Sequence, residues 1–454
     1  MSNTVKIEKK NRSLNMQVLL IATPLVLQNM AQTFLGVVDT WFVSDIGTEA
    51  IAALGLAGVI SYTFFVLFRN SIGSLVAFFG RAHGANDDLK IGDIVWRGLC
   101  AAGLLSTTVV ILPWLFTLLM GWATPADAPS VRDFGITYLR IRALEVPFIL
   151  FSAVGWAFMV GRGDSRTPML LMWSMVALNI FLDWLLVPGN LGFPAMGVAG
   201  AAWATVIANL FNAIVSGLIL WSPKNRGLYN TGNPRLVPWV DIKKVFEVGL
   251  PAGFGDFIEI ASFTLFFAMI ARLGTNVLAA NQIAVQYMSI SFTFGLAISM
   301  AASSLVSQFI GAGDVATAEK AAYRSLAIGM IGMGLIGATY IISPAFLISI
   351  FSDEPAVIEA GVSILRVIAI YQIFDAAGIV LSGALMGGGD TRFTMFTRLV
   401  LAWGLFLPMA WVALFWWDLG IAGAWATALI YLAMLAAVYF WRFRGGKWKT
   451  IQLA

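Results

Sequence analysis

Long apolar stretches recur along the whole chain, and they limit what it can fold into. Runs of 18 or more mostly apolar residues are typical of transmembrane helices. Of the 454 residues, 59% are hydrophobic and only 11% are charged, whereas about 25% of the residues of an average soluble domain are charged. A transmembrane β-barrel would instead show alternating segments of about ten residues. We therefore predict an all-α integral membrane protein.

The apolar stretches predict twelve transmembrane helices in two homologous six-helix bundles. The predicted spans are residues 16–43, 50–79, 94–122, 133–160, 167–188, 197–221, 245–271, 277–309, 320–347, 358–385, 393–416 and 420–441. The predicted domains are a cytoplasmic N-terminal tail (1–15), an N-lobe (16–221), a cytoplasmic linker (222–244), a C-lobe (245–441) and a cytoplasmic C-terminal tail (442–454).

The distribution of basic residues predicts the orientation. Cytoplasmic loops of membrane proteins carry an excess of Lys and Arg. Most of the 28 Lys and Arg residues fall on one side if both termini are cytoplasmic, and Arg398 is counted among them. Arg69 is the only Lys or Arg that this assignment places deep within a span. We expect a multi-pass protein of the cell (inner) membrane.

The two halves of the sequence repeat each other at a nearly constant spacing. Pro24 matches Pro251, and residues 197–205 match residues 420–427 with one deletion. Each copy has an even number of spans, so both copies lie the same way up, as in transporters with parallel repeats. Such a duplicated bundle is suited to alternating access, although duplication could also serve only to build a large fold.

Two glycine-rich loops, residues 161–166 (GRGDSR) and 387–392 (GGGDTR), occupy matching positions in the repeat. A phosphate-binding loop of this composition would follow a β-strand, but each of these loops joins two predicted membrane helices. We interpret each loop as a tight turn with an Asp helix cap and an Arg at the lipid headgroups.

Several carboxylates lie within the apolar spans. On insertion scales a central Asp costs roughly 2.5–3.5 kcal/mol, so such residues usually have a function. Four of them are well inside: Asp39, Asp183, Glu259 and Asp375. These acids are not duplicated, since Asp39 corresponds to Phe266 and Glu259 to Gln32. An acid that served only the scaffold should tend to recur in both copies, so the asymmetry favours a functional role.

Helical spacing associates further residues with these acids. Asn179 and Asp183 share a face of the fifth span, and Tyr371 and Asp375 share a face of the tenth. Two more acids lie nearer to helix ends, Asp256 in the seventh span and Glu145 in the outer part of the fourth. The alternative for every acid is a packing role with an Arg or hydrogen-bonding partner. Few cations are predicted inside the spans, which disfavours that alternative for the four deep acids.

The chemistry of buried carboxylates suggests what these residues bind. A carboxylate in an apolar cavity can hold a proton, can bind Na⁺ together with Asn, Thr or Tyr oxygens, or can attract an organic cation. His83 is the only histidine and Cys100 the only cysteine, so the sequence predicts no His-based or thiol metal site. We expect no cofactor other than a coupling ion, Na⁺ or H⁺.

Taken together and in order, these features resemble the MATE (multidrug and toxic compound extrusion) family over essentially the whole chain. The resemblance rests on Pro24 with the segment 36–40 (GVVDT), on 179–183 (NIFLD), on 249–251 (GLP) with Glu259, and on 371–375 (YQIFD). It implies two six-helix lobes around a V-shaped cavity, as in the MOP superfamily. It also implies export of cationic, often aromatic compounds against Na⁺ or H⁺.

The resemblance also implies site residues. In the N-lobe, Asp39, Asn179 and Asp183 match the family's cation site, and Thr205 matches its threonine ligand. In the C-lobe, Glu259, Tyr371 and Asp375 resemble the acids of the NorM branch, with Asp256 a weaker candidate. Na⁺ could therefore bind in either lobe. The chain is identified as NorM-like with DinF-like N-lobe features. Arg81 departs from the family, which often has Gln there.

The predicted function is that of a monomeric secondary multidrug efflux transporter and not an enzyme. Its partners would be the lipid bilayer and small cationic or amphipathic organic substrates, with no nucleic acid. Two alternatives stay open. A lipid-linked saccharide flippase of the same superfamily should line its cavity with Arg and Lys. An intramembrane enzyme should carry a His metal motif, a Ser/His pair or paired catalytic Asp residues.

The number of coupling ions determines whether the membrane potential contributes. Exchange of one Na⁺ or H⁺ for one monovalent organic cation moves no net charge. Two ions moving inward would add roughly 3.5 kcal/mol at an assumed potential of about 150 mV. Two acidic clusters, one in each lobe, would permit this stoichiometry.

Overall fold

The computed structural model describes residues 13–125, 127–235 and 237–453. Over those ranges the chain is helical and contains no β-strand, which confirms the predicted all-α fold. The first helix begins at Leu14. Most of the predicted N-terminal tail (1–15) lies outside the described residues.

Among the described residues, the first half of the chain forms nine long or medium α-helices and one short one. They are α1 (Leu14–Ser44), α2 (Thr48–Gly73), α3 (Leu75–Gly84), α4 (Asp88–Ser106), α5 (Leu112–Ala123), α6 (Pro129–Ala143), α7 (Val146–Gly161), α8 (Arg166–Leu186), α9 (Val198–Leu220) and the short α10 (Pro223–Tyr229).

The second half continues with α11 (Trp239–Ile270), α12 (Thr275–Gly311), α13 (Val315–Ile342), α14 (Pro344–Ser349), α15 (Pro355–Gly387), α16 (Thr391–Leu401), α17 (Leu407–Phe415) and α18 (Gly420–Arg444). A π-helical turn, Ala402–Phe406, joins α16 to α17. Helix α11 begins six residues before the predicted start of the seventh span.

The helices agree with the predicted number of spans. In the part of the chain that the structure describes, eleven segments are long and apolar enough to cross a membrane, and the bent pair α6–α7 brings the number to twelve. The chain is therefore a multi-pass membrane protein with the predicted helical architecture.

Prolines break two of the predicted spans. The third span, predicted as one helix over 94–122, consists of α4, a 3₁₀ turn and α5, and Pro113 lies in the first turn of α5. The fourth, predicted over 133–160, bends by 48° between α6 and α7, and Pro147 lies in the first turn of α7. A proline lacks the backbone N–H and its ring clashes with the carbonyl four residues earlier. Each interruption therefore falls just before a proline.

The helices assemble into two compact units. One comprises residues 27–253, and the other comprises residues 13–26 with 254–453. Each boundary falls shortly after a proline inside a helix, Pro24 in α1 and Pro251 in α11. The lobe limits predicted at residues 221 and 245 stay a prediction.

The two glycine-rich loops differ in how their aspartates are used. Asp164 accepts hydrogen bonds from the backbone N–H of Thr167 at 3.1 Å and from its hydroxyl at 2.7 Å, so the predicted cap is confirmed there. Asp390 instead accepts two bonds from Arg442, at 2.7 and 3.2 Å. The second turn is thus held by a salt bridge to the end of α18.

The C-terminal tail, predicted as residues 442–454, is packed against the helices. Helix α18 runs to Arg444, and Trp448 is fully buried. Its ring stacks on Phe443 at 4.7 Å, and Lys449 Nζ lies 2.6 Å from Glu319 of α13. The tail therefore connects α18 to α13 within the same unit.

Close helix packing in this unit depends on small residues. Gly383 and Gly387 of α15 form a GxxxG pair, a pattern that lets membrane helices approach closely. A Cβ atom at Gly383 would collide with the carbonyl oxygen of Ser299, and one at Gly387 would lie 2.5 Å from that of Ser303. The side chain of Ser299 donates to the Ile379 carbonyl at 2.8 Å, which ties α12 to α15.

We expect Gly383→Ala to destabilise the protein. The added methyl group would collide with backbone, and overpacking of this kind costs about 1–3 kcal/mol. The measurement is the melting temperature of the detergent-purified protein by fluorescence-detected size exclusion. Gly334→Ala is the matched control, because its Cβ atom would meet nothing closer than 3.9 Å. Equal melting temperatures for the two variants would contradict the close packing.

Candidate functional site

A cluster of buried polar side chains forms where α1, α8 and α9 meet. The amide nitrogen of Asn179 donates to Asp39 Oδ1 at 2.8 Å and to Asp183 Oδ2 at 2.5 Å. Asn179 and Asp183 are one turn apart on α8, as their spacing predicted, and Asp39 comes from α1. A single amide therefore bridges two carboxylates.

Thr205 of α9 completes this cluster. Its hydroxyl oxygen lies 3.4 Å from Asp39 Oδ2 and 3.0 Å from the carbonyl oxygen of Ala201. The side chains of Asp39, Asn179, Asp183 and Thr205 are all buried. The structure thus brings together the four residues predicted for the N-lobe, and we call them the N-lobe cluster. Their role in ion binding stays a prediction.

Two oxygen atoms of the N-lobe cluster lack a donor. Within the described residues, Oδ1 of Asn179 and Oδ1 of Asp183 are buried and have no hydrogen-bond partner. Buried acceptors without a donor are unfavourable, and two carboxylates side by side in an apolar environment repel each other. A proton or a cation bound at these oxygens would relieve both conditions.

The donor set indicates which ions fit. Carboxylate, amide and hydroxyl oxygens suit hard cations, whereas transition metals favour imidazole or thiolate ligands. No group of three or more His, Cys, Asp or Glu residues suited to a metal ion occurs in the described ranges. The N-lobe cluster is therefore suited to H⁺ or to Na⁺.

A second buried network lies beside the N-lobe cluster, at the break between α6 and α7. Glu145 is fully buried, and its Oε1 accepts a 2.7 Å hydrogen bond from Nε of Arg142. Its Oε2 accepts one from Asn209 at 2.9 Å. Asn209 follows Thr205 by one turn of α9 and also donates to the Thr205 carbonyl.

This network assigns Glu145 a structural role. Both carboxylate oxygens are engaged, and Arg142 also donates to the hydroxyl of Tyr138 at 2.7 Å. No partner of Glu145 was predicted from the sequence. The spacing of three residues between Arg142 and Glu145, just before Pro147, was the available signal.

A different cluster forms in the other unit, around Arg398 of α16. Its guanidinium Nη1 donates to Asp256, its Nε lies 3.2 Å from Glu259 Oε2, and its Nη2 donates to the Ser382 hydroxyl at 3.2 Å. Glu259 Oε1 accepts a hydrogen bond from Tyr431 at 3.2 Å. We call Asp256, Glu259, Arg398, Ser382 and Tyr431 the Arg398 cluster.

The burial and the ion pairs of Arg398 were not predicted from the sequence. Arg398 was assigned to the cytoplasmic side, but only 8% of the residue is exposed, and it pairs with two of the predicted acids. Arg398 and Asp256 are 142 residues apart in the sequence, so no local pattern predicts their contact.

The remaining predicted C-lobe residues lie outside the Arg398 cluster. Tyr371 is buried and its ring stacks on Trp425 at 6.1 Å with an interplanar angle of 16°. Asp375 is also buried, but it forms no hydrogen bond or salt bridge in the part of the chain that is described. Glu259, Tyr371 and Asp375 are thus not joined in one hydrogen-bonded group.

Comparisons with known proteins agree with this architecture. A sequence profile of the MatE family matches the chain twice, over residues 24–185 and 251–412. The two matches begin at Pro24 and Pro251, the first matched pair of the internal repeat. The predicted duplication therefore corresponds to two copies of one family unit.

The chain is also similar to curated proteins over nearly its whole length. It is 26% identical over 432 residues to a probable multidrug resistance protein NorM of Thermotoga maritima, and the alignment covers 94% of this chain and 92% of that one. It is 29% identical to the corresponding Burkholderia pseudomallei protein, with coverages of 93% and 91%.

Solved structures resemble the whole fold. A MATE protein in its straight conformation superposes with a TM-score of 0.86 at 21% identity, and the match covers 97% of this chain and 98% of that one. The eukaryotic MATE transporter AtDTX14 superposes with a TM-score of 0.84 at 19% identity, covering 96% of each chain. At these identities the structures support the fold alone.

We expect Arg142→Gln to destabilise the protein strongly. The substitution leaves the carboxylate of Glu145 buried without its cation, and breaking a buried pair in this way costs about 3–5 kcal/mol. The double variant Arg142→Gln/Glu145→Gln should recover much of the loss of melting temperature, because no unpaired charge remains. Arg140→Gln, which changes an exposed side chain in the same helix, is the control. A double variant as unstable as the single one would contradict this pairing.

Proposed function

The chain belongs to the MatE family, and on this premise we propose that it is a multidrug efflux transporter that exports small organic cations in exchange for Na⁺ or H⁺. Membership makes the chain a transporter, and the enzyme alternative is excluded with it. The multidrug function is supported by the relatives, which are named multidrug resistance proteins NorM.

The observation that carries the proposed coupling is the pair of oxygens without donors in the N-lobe cluster. Asn179 Oδ1 and Asp183 Oδ1 accept no hydrogen bond from any described residue, while the amide of Asn179 holds the two carboxylates side by side. The two carboxylates are thus held side by side, and an ion bound between them would supply a positive charge. We assign the coupling ion to this cluster.

The exchange of ion for substrate follows because both cations are attracted to the same carboxylates. The N-lobe cluster carries at most two negative charges and lies in apolar surroundings, so it favours one bound cation over none. An ion bound at the cluster lowers the attraction for a cationic substrate, and a substrate lowers the attraction for the ion. A ligand shifts a conformational equilibrium by its difference in affinity between the two states, so each cation would favour release of the other on the opposite side.

The charges of the buried groups favour cationic cargo over a lipid-linked saccharide. A flippase for such a substrate needs unpaired Arg or Lys for its pyrophosphate. Here Arg142 and Arg398 are both paired with acids, and the Arg69 guanidinium donates to Gln32 at 2.8 Å. The fold by itself does not fix the cargo, because a Pyrococcus furiosus neighbour of TM-score 0.83 is described as having a binding pocket of reverse polarity.

The proposal also includes the orientation of the chain in the membrane and its oligomeric state. The excess of Lys and Arg in the predicted cytoplasmic loops supports cytoplasmic termini in the cell membrane. Each chain carries one complete pair of family repeats, which supports a monomer as the transporting unit.

We expect Asp39→Asn and Asp183→Asn to abolish ion-driven efflux of ethidium from energised cells. Each substitution keeps the size of the side chain but removes a charge, and a lost charged partner costs about 1.5–3 kcal/mol, or at least about tenfold in affinity. Asp353→Asn, which alters an exposed loop carboxylate, is the matched control. Wild-type efflux by Asp39→Asn at equal expression would contradict the proposed coupling site.

Efflux measurements in the same cells also identify the coupling ion. Efflux that responds to Na⁺ pulses and not to acid pulses indicates a sodium antiporter, and the reverse response indicates a proton antiporter. A response that survives in both N-lobe variants would show that the ion acts elsewhere.

A further inference from the structure

The carboxylate of Glu259 already has an ion-pair partner and a hydrogen-bond donor within its own unit. Oε2 lies 3.2 Å from Nε of Arg398, and Oε1 accepts a hydrogen bond from Tyr431. The guanidinium is itself held by two hydrogen bonds, since Nη1 donates to Asp256 and Nη2 donates to Ser382. One guanidinium therefore lies within ion-pair distance of both carboxylates, Asp256 and Glu259.

The two acidic clusters differ in the group that lies between their carboxylates. The N-lobe cluster has two carboxylates joined by a neutral amide, and among the described residues two of its acceptor oxygens have no donor. The Arg398 cluster also has two carboxylates, but a guanidinium lies between them. A metal cation that approached Glu259 would meet a positive charge at short range, and like charges so close repel strongly where water is scarce.

We propose that Arg398 is a resident cation that fills the acidic cluster of Asp256 and Glu259 and thereby excludes Na⁺ from it. The side chains of Asp256 and Glu259 keep 21% and 24% exposure, so the cluster is not sealed from its surroundings. Removal of the guanidinium would leave four oxygen-bearing side chains around one space: Asp256, Glu259, Ser382 and Tyr431. Such a set of hard oxygen ligands suits Na⁺.

This inference limits the number of coupling ions. If Arg398 occupies its cluster, the cluster contributes no Na⁺ to the transport cycle, and the two-ion stoichiometry suggested by two acidic clusters loses one of its sites. That consequence rests on the proposed ion binding at the N-lobe cluster. The resident-cation role of Arg398 does not, because it concerns contacts within the other unit alone.

The test is the stoichiometry of ²²Na⁺ binding to the purified full-length protein by scintillation proximity. We expect Arg398→Gln to bind one more equivalent of ²²Na⁺ than the wild type, and Arg398→Gln/Glu259→Gln to lose that additional equivalent. Arg398→Lys keeps the positive charge and should gain none. Glu259→Gln in the wild-type background should leave ²²Na⁺ binding unchanged, because the wild-type protein binds no ion there.

Two results would overturn the proposal. One is a loss of ²²Na⁺ binding in Glu259→Gln alone, which would show that the ion reaches this carboxylate while Arg398 is present. The other is an Arg398→Gln protein that elutes as a folded monodisperse species and gains no binding. If Arg398→Gln does not fold, the Glu259→Gln measurement decides by itself.

The proposed coupling site is judged separately by Asp39→Asn. Loss of the wild-type equivalent in Asp39→Asn, with the Arg398 results as expected, supports both proposals. A wild-type protein that binds no ²²Na⁺, together with an Arg398→Gln protein that binds one equivalent, supports the resident cation and contradicts Na⁺ coupling at the N-lobe cluster.

Discussion

The cost of a charge in apolar surroundings governs this structure. A deeply placed ionic group needs a partner, because an isolated ion is much less stable there than in water. Glu145 is matched by Arg142, and Glu259 by Arg398. Asp39 and Asp183 differ, since the group that they share is the neutral amide of Asn179. Two carboxylates held together without a bonded cation are the arrangement that most strongly favours an external ion.

Backbone breaks put these groups where they are needed. A continuous helix would present Arg142 and Glu145 on one face at ordinary spacing, but Pro147 interrupts the helix, and the acid lies at the bend between α6 and α7. The bend lets Glu145 reach Asn209 of α9, one turn beyond Thr205. The bent segment α6–α7 is thus bonded to α9, which also carries Thr205 of the N-lobe cluster. Helix α9 therefore takes part both in this stabilising network and in the candidate binding site.

The sequence predicted the fold and the N-lobe cluster more completely than the Arg398 cluster, and the reason is physical. Apolar length and the internal repeat determine the helices, and the i, i+4 spacing of Asn179 and Asp183 is local information. The partners of Arg398 come from α11 and α15, and Tyr431 of α18 joins them through Glu259. Only tertiary packing brings these helices together. The loop-charge rule counted Arg398 among the cytoplasmic basic residues, and such a rule does not indicate which side chains an arginine contacts.

The two copies of the repeat differ in the residue that contacts an arginine at one matching position. The position of Glu259 in the second copy is occupied by Gln32 in the first, and each residue contacts an arginine: Arg398 lies 3.2 Å from Glu259, and Arg69 donates to Gln32 at 2.8 Å. The arginines come from non-equivalent helices, α16 and α2. Where the acceptor is an acid, the arginine neutralises it. Where the acceptor is an amide, the arginine gains a hydrogen bond but no counter-charge from it. One exchange of an acid for an amide at this position therefore changes a neutral hydrogen-bond acceptor for an arginine into a charged ion-pair partner.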